Sequence, residues 1–345
     1  MKNLTEYKKI LIIQTAFLGD VILTLPLVQS IKKYSPDSFV SFLCIPSTSV
    51  LLENNPDIDE VIIYDKRGKD KGLKNYYNLL KRIKEKNFDV IFSPHRSLRS
   101  TFISYFSRVP LTISYNKSSF QFLYKKIVKY DKSIHEIQRN LSLLSPFGIF
   151  EKEIIKPLLF ASDDDRNVVS NFQAANKIDG KFIAVAPGSV WYTKTYPEEK
   201  FIKLLDILRE FGTKIVFVGG EDDSGLCSKI IYSSKNFNAF NSAGKLTPLQ
   251  SAELIKRSSV LISNDSAPMH LANAVGTKVI AIFGATVPEF GFYPYGTHDT
   301  IFQTNGLKCR PCSVHGGNRC PIKTFVCMNK IDEVKLCTEI LKSLR

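Results

Sequence analysis

The chain has 345 residues, 44% of them hydrophobic and 23% charged, the balance of an ordinary globular protein with room for two domains rather than a disordered or fibrous one. Its first apolar run, Ile10-Leu11-Ile12-Ile13, is far too short for a signal-peptide core, and no later stretch approaches the roughly 18 apolar residues of a spanning helix, so a cytosolic setting is expected. The formal charge of +14 fits either a generally Lys-rich soluble protein or one with an anionic partner.

In chain order, short apolar runs at 10–13, 39–45, 61–64 and 88–92 alternate with helical patterns near 20–33, 73–86 and 97–107. Two further helical stretches follow, near 117–129 and 134–146. The alternation breaks over 148–180, where Gly148, Pro157 and Ser162-Asp163-Asp164-Asp165 interrupt it and Ser162-x-x-Asp165 reads as a helix start. It resumes with apolar runs at 182–186, 214–218, 259–263 and 278–283 and helices near 197–210, 222–233, 248–257 and 267–275. An amphipathic helix over 331–344 closes the chain. Strands separated by helices in this way form parallel sheets covered on both faces. Two such sets predict an α/β fold of two Rossmann-like domains, 1–160 and 161–330, with 331–345 as a C-terminal helix.

Basic residues are dense before residue 130: Lys66-Arg67-Gly68-Lys69-Asp70-Lys71, Lys81-Arg82-Ile83-Lys84, Arg96, Arg99 and Lys125-Lys126. The alternatives are a solvated surface and a basic face for an anionic lipid surface, a phosphorylated or carboxylated substrate, or nucleic acid.

Ligands of open parallel sheets bind just past the strand C-termini, and four loops there carry chemistry. Gln14-Thr15-Ala16-Phe17-Leu18-Gly19-Asp20 has a single glycine, so it lacks the dinucleotide fingerprint; Asp20 reads as a helix cap or as a general base. In Ala186-Pro187-Gly188-Ser189 small residues permit close backbone approach, and Lys194 further on can reach a phosphate. Gly219-Gly220-Glu221-Asp222-Asp223 places carboxylates either for ribose hydroxyls or for an acidic helix start. Asn264-Asp265-Ser266-Ala267-Pro268-Met269-His270 joins a strand to a helix, with Ser266 as N-cap candidate and Pro268 in the first turn. Unpaired N–H groups and the dipole at such a helix start favour an anion, against the plainer reading of a well-capped buried helix.

Four of seven cysteines crowd into Cys309-x2-Cys312-x7-Cys320-x6-Cys327. The spacing is not that of a zinc ribbon, and reduced cysteines packing a loop-rich segment are preferred to a zinc set.

Gly19-Asp20-Val21-Ile22-Leu23-Thr24-Leu25-Pro26, His95-Arg96-Ser97-Leu98-Arg99-Ser100, the Pro187-Gly188-Ser189 loop, Asp265-Ser266-Ala267-Pro268-Met269-His270 and the cysteine-rich tail occur in an order that resembles glycosyltransferase family 9. These are the bacterial ADP-heptose:lipopolysaccharide heptosyltransferases, and the resemblance covers nearly the whole chain. Cys309, Cys312, Cys320-Pro321 and Cys327-Met328 look more like the second heptosyltransferase of the core pathway than the first. Ala267 stands where many relatives have Gly, and Pro321-Ile322-Lys323 departs from the usual Pro-Leu-Gly-His.

The resemblance implies a GT-B fold, two Rossmann-like domains facing across a cleft, with the donor on the C-terminal one. It implies ADP-L-glycero-β-D-manno-heptose as donor, inversion at the anomeric carbon, and Asp20 as the base. No cofactor is required, although a divalent cation is compatible. Ser189, Lys194 and the N–H groups at Ser266 and Ala267 would stabilise the leaving diphosphate. Glu221 would hold the ribose and the main chain around Leu246 would flank the adenine. Asp265, being ionised, is assigned to donor-sugar hydroxyls, and His270 to a phosphate or sugar contact or to loop orientation. Arg96 and Arg99 would meet a phosphorylated, acidic lipid A–core acceptor at the cytoplasmic face of the inner membrane, reached by peripheral contact; no nucleic acid is expected. The rival readings are another nucleotide-sugar enzyme, such as a UDP-sugar epimerase or a transferase for a different glycan, a zinc-stabilised nucleic-acid binder, and a catalytically silent sugar-nucleotide binder, against which Asp20 argues.

Overall fold

The computed structural model of the protein describes residues 3–234 and 236–344. The chain divides into two compact units, Met1–Phe160 and Ala161–Arg345.

In the first unit, β1 (Lys9–Ile13), β2 (Phe39–Cys44), β3 (Glu60–Ile63), β4 (Val90–Phe92), β5 (Leu111–Tyr115) and β6 (Lys126–Val128) form one parallel sheet in the order β3-β2-β1-β4-β5-β6. Helices α1 (Leu18–Tyr34), α2 (Pro46–Ser49), α3 (Leu73–Glu85), α4 (Leu98–Phe106) and α5 (Glu136–Ser142) accompany it. The four apolar residues of β1 are all buried, as a strand with cover on both faces requires. Every residue of α1 from Val21 to Val28 is buried as well. Pro26 removes one N–H inside α1, and the neighbouring turn is tied down from α5: the Asn140 amide donates to the Leu23 carbonyl at 2.9 Å, and Tyr115 donates to Asn140 Oδ1 at 3.1 Å.

The second unit opens with α6 (Asp163–Ala175) and continues through β7 (Phe182–Ala186), α7 (Glu198–Arg209), β8 (Lys214–Phe217), α8 (Ser224–Ser234), β9 (Ala239–Asn241), α9 (Pro248–Arg257), β10 (Val260–Asn264), α10 (Ala267–Val275), β11 (Val279–Phe283), β12 (Thr300–Gln303), α11 (Val326–Asn329) and α12 (Glu333–Lys342). Its sheet is also parallel, ordered β12-β11-β10-β7-β8-β9. Both sheets start in the middle, build outward on one side and then on the other, the doubly wound Rossmann order. Their switch points lie between β1 and β4 and between β7 and β10. Asp332 caps α12 by accepting from the Val334 and Lys335 N–H groups at 2.8 and 3.2 Å. Leu336, Cys337 and Ile340 of that helix then join Leu204 and Leu208 of α7 in the core.

The helix expected near 117–129 does not form. Residues 111–128 instead make β5, a single 3-10 turn at Gln121–Leu123, and the edge strand β6. The spacing of Phe120, Leu123 and Ile127 imitates a helical stripe, but Phe120 takes a left-handed conformation (φ 49°), and Lys125 N–H bonds Thr112 on β5 at 3.1 Å. β9 and β12 also escape sequence detection, because short edge strands that are only half-buried carry little apolar signal. Among the described residues no helix is long and apolar enough to cross a membrane.

Ile340→Ala should lower the free energy of unfolding by about 2–5 kcal/mol through cavity formation, while Val334→Ala on the exposed face of α12 should cost under about 0.5 kcal/mol. Denaturant midpoints measured at unchanged slope would check both.

Candidate active site

In the first unit the chain leaves β1 through Gln14-Thr15-Ala16 and enters α1 with Phe17 as N-cap. Asp20 is the third helical residue, and its Oδ2 accepts the Phe17 N–H at 3.2 Å. The capping and functional readings of Asp20 are therefore compatible, since one oxygen caps and the half-buried carboxylate keeps its other lone pairs. Thr24 donates to the Asp20 carbonyl at 2.7 Å and receives the Gln14 amide at 3.1 Å. Burial pushes the Asp20 carboxyl up to about 6, and the charge of Glu136 adds to the rise; backbone N–H groups and Arg96 oppose it.

Glu136 reaches this neighbourhood because α5 packs on α1. It is clamped by Arg139 Nη1 at 2.8 Å and by the Tyr130 hydroxyl at 3.0 Å, with Arg139 itself buried and donating to the Asp131 and Lys132 carbonyls at 2.7 and 2.9 Å. Burial also raises the Glu136 carboxyl, against the pull of Arg139. The Arg96 guanidinium lies 4.1 Å from the Tyr130 ring centroid, so it is not a solvated helix residue: it precedes the Ser97 N-cap of α4 and stacks inward. Arg99, in the first turn of α4, is exposed.

His95 lies on the same edge of the sheet. Its Nδ1 is 2.9 Å from Thr15 Oγ1 and 3.0 Å from Ser100 Oγ. Burial, then Lys66 and Arg96, lowers its imidazole to about 4, so it is neutral at pH 7. Lys66 donates to the Thr15 carbonyl at 2.7 Å and is itself pushed down by burial and by Arg99. Sequence reasoning missed Glu136, Arg139 and Tyr130 as a buttress. The spacing of Glu136 and Arg139 by three residues at a helix start was the available signal.

In the second unit, Asn264 at the end of β10 joins two loops across the switch point. Its Oδ1 accepts the Tyr196 N–H at 3.0 Å and its amide donates to the Pro187 carbonyl at 2.7 Å. Asp265 Oδ2 accepts from Lys194 Nζ at 2.8 Å and from Thr286 Oγ1 at 2.6 Å. Lys194 is thus held by a carboxylate, a pairing the sequence did not reveal. Ser266 stands at the N-cap of α10, but its hydroxyl makes no capping bond and lies 3.4 Å from the Asn264 carbonyl, which corrects its reading as a side-chain cap. The extended backbone at Ser266 (φ −152°) aims the hydroxyl back at the strand, leaving the first turn of α10 without a side-chain cap. His270 follows one turn on, buried.

Ser189, half-buried, lies on the β7 loop. At Gly188 an added Cβ would fall 1.9 Å from Asp223 Oδ1, so a larger residue here would have to displace the Asp223 carboxylate. Asp223 caps the Gly220 N–H at 3.0 Å, and Glu221 is exposed. Gly244 (φ +76°) would place a Cβ 3.1 Å from the Glu221 Cα, which brings the segment leading to half-buried Leu246 alongside Glu221. Ser189, Lys194, Glu221, Leu246, Asp265 and Ser266 therefore all lie between the C-terminal ends of β7, β8, β9 and β10 and the helices that follow, with Ala267 opening α10.

The cysteine tail packs onto this edge. Thr193 N–H donates to the Gly317 carbonyl at 3.0 Å, and Gly317 N–H donates to Thr193 Oγ1 at 2.8 Å, fixing the loop that carries Lys194. Arg310 donates to the Thr286 carbonyl at 2.6 Å and to the Thr304 carbonyl at 2.9 Å. Cys309, Cys312, Cys320 and Cys327 line one small cavity with Arg310, yet among the described residues no three His, Cys, Asp or Glu side chains converge closely enough to hold a metal ion. Cys327 is buried and Cys312 exposed, and burial raises both thiols.

The sequence profile described as Glycosyltransferase family 9 (heptosyltransferase) matches residues 76–320. Lipopolysaccharide heptosyltransferase 3 of Escherichia coli strain K12 is 27% identical over 277 residues, 78% of this chain and 80% of that protein. Lipooligosaccharide heptosyltransferase 2 of Campylobacter jejuni serotype O:6 is 24% identical over 343 residues, 97% and 98% of the two chains. Among solved structures, a family 9 glycosyltransferase from Veillonella parvula superposes with a TM-score of 0.86 at 23% identity, covering 98% of this chain and 97% of that one. ADP-heptose LPS heptosyltransferase II of E. coli gives 0.80 at 19% identity, covering 97% and 98%. The fold is shared with both.

The electrostatics of the first unit are directly measurable. Carbon-13 NMR should find the Asp20 carboxyl titrating near pH 6, and Glu136→Gln, which removes a like charge, should move that midpoint down. A midpoint unmoved by the substitution would separate the two carboxylates.

Proposed function

The chain belongs to glycosyltransferase family 9, and on that premise we propose that it moves a heptose from ADP-L-glycero-β-D-manno-heptose to the inner core of lipopolysaccharide with inversion. The observation that carries this reading is the half-buried Asp20 carboxylate, raised to about 6 by burial and by the charge of nearby Glu136, which Arg139 and Tyr130 hold in place. A base of that strength is ionised at neutral pH yet basic enough to take a proton in the transition state.

The acceptor hydroxyl oxygen attacks the anomeric carbon as its proton passes to Asp20, and the bond from that carbon to the diphosphate oxygen breaks, releasing ADP. Attack from the face opposite the leaving group inverts the carbon. The diphosphate charge is taken by the Ser266 and Ala267 N–H groups, Ser189 and Lys194. Asp265, which holds Lys194 at 2.8 Å, keeps that ammonium in place and offers its remaining lone pairs to sugar hydroxyls. Glu221 takes the ribose, the main chain at Leu246 flanks the adenine, and His270 orients the α10 turn or touches the sugar. Arg96 and Arg99 meet the phosphates and acidic sugars of the acceptor, with the enzyme working at the cytoplasmic membrane surface.

Mass spectrometry of the purified protein with a panel of sugar nucleotides and truncated core acceptors tests the reading; transfer from a UDP-sugar instead of ADP-heptose would overturn the donor. Asp20→Asn should lower kcat by about 10²–10⁴-fold while ADP affinity stays nearly unchanged. Because the base must be ionised, kcat/KM should fall as pH drops through about 6 and level off above it. Lys194→Ala should weaken ADP-heptose binding; undiminished affinity would remove Lys194 from the phosphate site.

A further inference from the structure

Between Asp89 and Asp131 the sequence carries seven cations, Arg96, Arg99, Arg108, Lys117, Lys125, Lys126 and Lys129, and not one carboxylate, so a stretch of 41 residues holds half of the net charge of +14. Among the described residues none of the seven forms a salt bridge, and all but Arg96 are exposed. The same stretch displays apolar rings to solvent. Phe102 and Phe106 of α4 lie with centroids 5.7 Å apart, Phe102 and Phe120 at 6.0 Å, and Phe120 and Phe122 at 5.7 Å, with Tyr105 against Phe106 at 5.2 Å. Phe122 is 74% and Phe120 52% exposed, and on the edge strand β6 Ile127 is exposed between lysines. A groove of about 580 Å³ opens between Tyr105, Phe106 and Arg108 on one side and Leu123 and Lys125 on the other.

We propose that this face of the first unit, α4 with the segment from Phe120 to Lys129, docks on an anionic phospholipid bilayer, the aromatic ladder entering the interface and the cations binding lipid headgroups. An exposed connected set of rings in a stretch whose only charges are positive matches a membrane surface, which is apolar within and negative at its face. A second copy of this chain would bring the same cations together, and lysines on an edge strand oppose edge-to-edge pairing. The patch is joined to the candidate site: Ser119 N–H donates to the Arg96 carbonyl at 3.0 Å, and Thr101 of α4 donates to the Ser119 carbonyl at 2.6 Å. Docking here delivers a lipid-anchored acceptor beside Arg96, which rests on the functional reading given above, whereas the docking itself does not.

The test is flotation of the full chain with vesicles of phosphatidylcholine alone and of phosphatidylcholine with phosphatidylglycerol at about 3:1. Binding should require phosphatidylglycerol and weaken as salt is raised. Phe120→Ser with Phe122→Ser, and separately Lys125→Glu with Lys126→Glu, should each reduce vesicle binding by at least about tenfold, with melting temperature and turnover of a soluble, deacylated acceptor retained. Tyr232→Ser with Phe237→Ser, more exposed rings of the second unit, should leave binding unchanged. Asp20→Asn should still float with the vesicles, which separates failure of the docking from failure of the enzymatic assignment. Undiminished binding by both patch variants, equal binding to pure phosphatidylcholine, or a concentration-dependent dimer abolished by the same substitutions would overturn the proposal.

Discussion

A parallel strand can be followed by another only through a crossover, and each crossover leaves the C-terminal edge of the sheet by a loop. Both units obey this constraint twice over, building outward from β1 and from β7 and then returning to start the other half. At the point of return two neighbouring loops must part in opposite directions, which leaves a recess lined by loop backbone and helix starts. Asp20, His95 and Arg96 stand at that point in the first unit, and Asn264, Asp265, Lys194 and Ser189 in the second. The chemistry is concentrated where the topology cannot fill space with its own side chains.

Within those recesses charge is held in place rather than left to solvent. Burying a carboxylate is costly unless it is paired, and the two units answer differently. Asp265 is paired outright, by Lys194 and Thr286, and so fixes a cation at the start of α10. The Asp20 carboxylate is met by backbone N–H groups, and the nearby Glu136 is the one that receives Arg139 and Tyr130. An unpaired carboxylate beside a paired one is a way of raising proton affinity without moving the backbone. His95 shows the reverse case, since burial and two cations keep its ring neutral.

Outside the recess, the charge of the first unit is organised at the scale of a surface. Cations that do not pair inside the protein, aromatic rings that do not reach the core and a carboxylate-free stretch of sequence coincide on α4 and its neighbours. The short contacts from Ser119 to Arg96 and from Thr101 to Ser119 make that surface continuous with the loop after β4.

Much of this was written in the order of residues. Apolar runs of four to seven with helical spacing between them point to a parallel α/β architecture, because strands buried on both faces read that way. The loops after those runs identify Asp20, Ser189, Lys194, Glu221 and Asp265 as members of strand ends. What the order of residues does not contain is distance between segments far apart in the chain. The stretch from 117 to 129 spaces its apolar residues like a helix, yet pairing with β5 turned its end into an edge strand, since ladder hydrogen bonds to a neighbour outweigh a local period. That Lys194 meets Asp265 and that Glu136 and not Asp20 receives Arg139 were decided by tertiary structure alone. Electrostatic energy depends on separation and burial in space, and both are set only when α5 closes on α1 and the tail closes on the β7 loop.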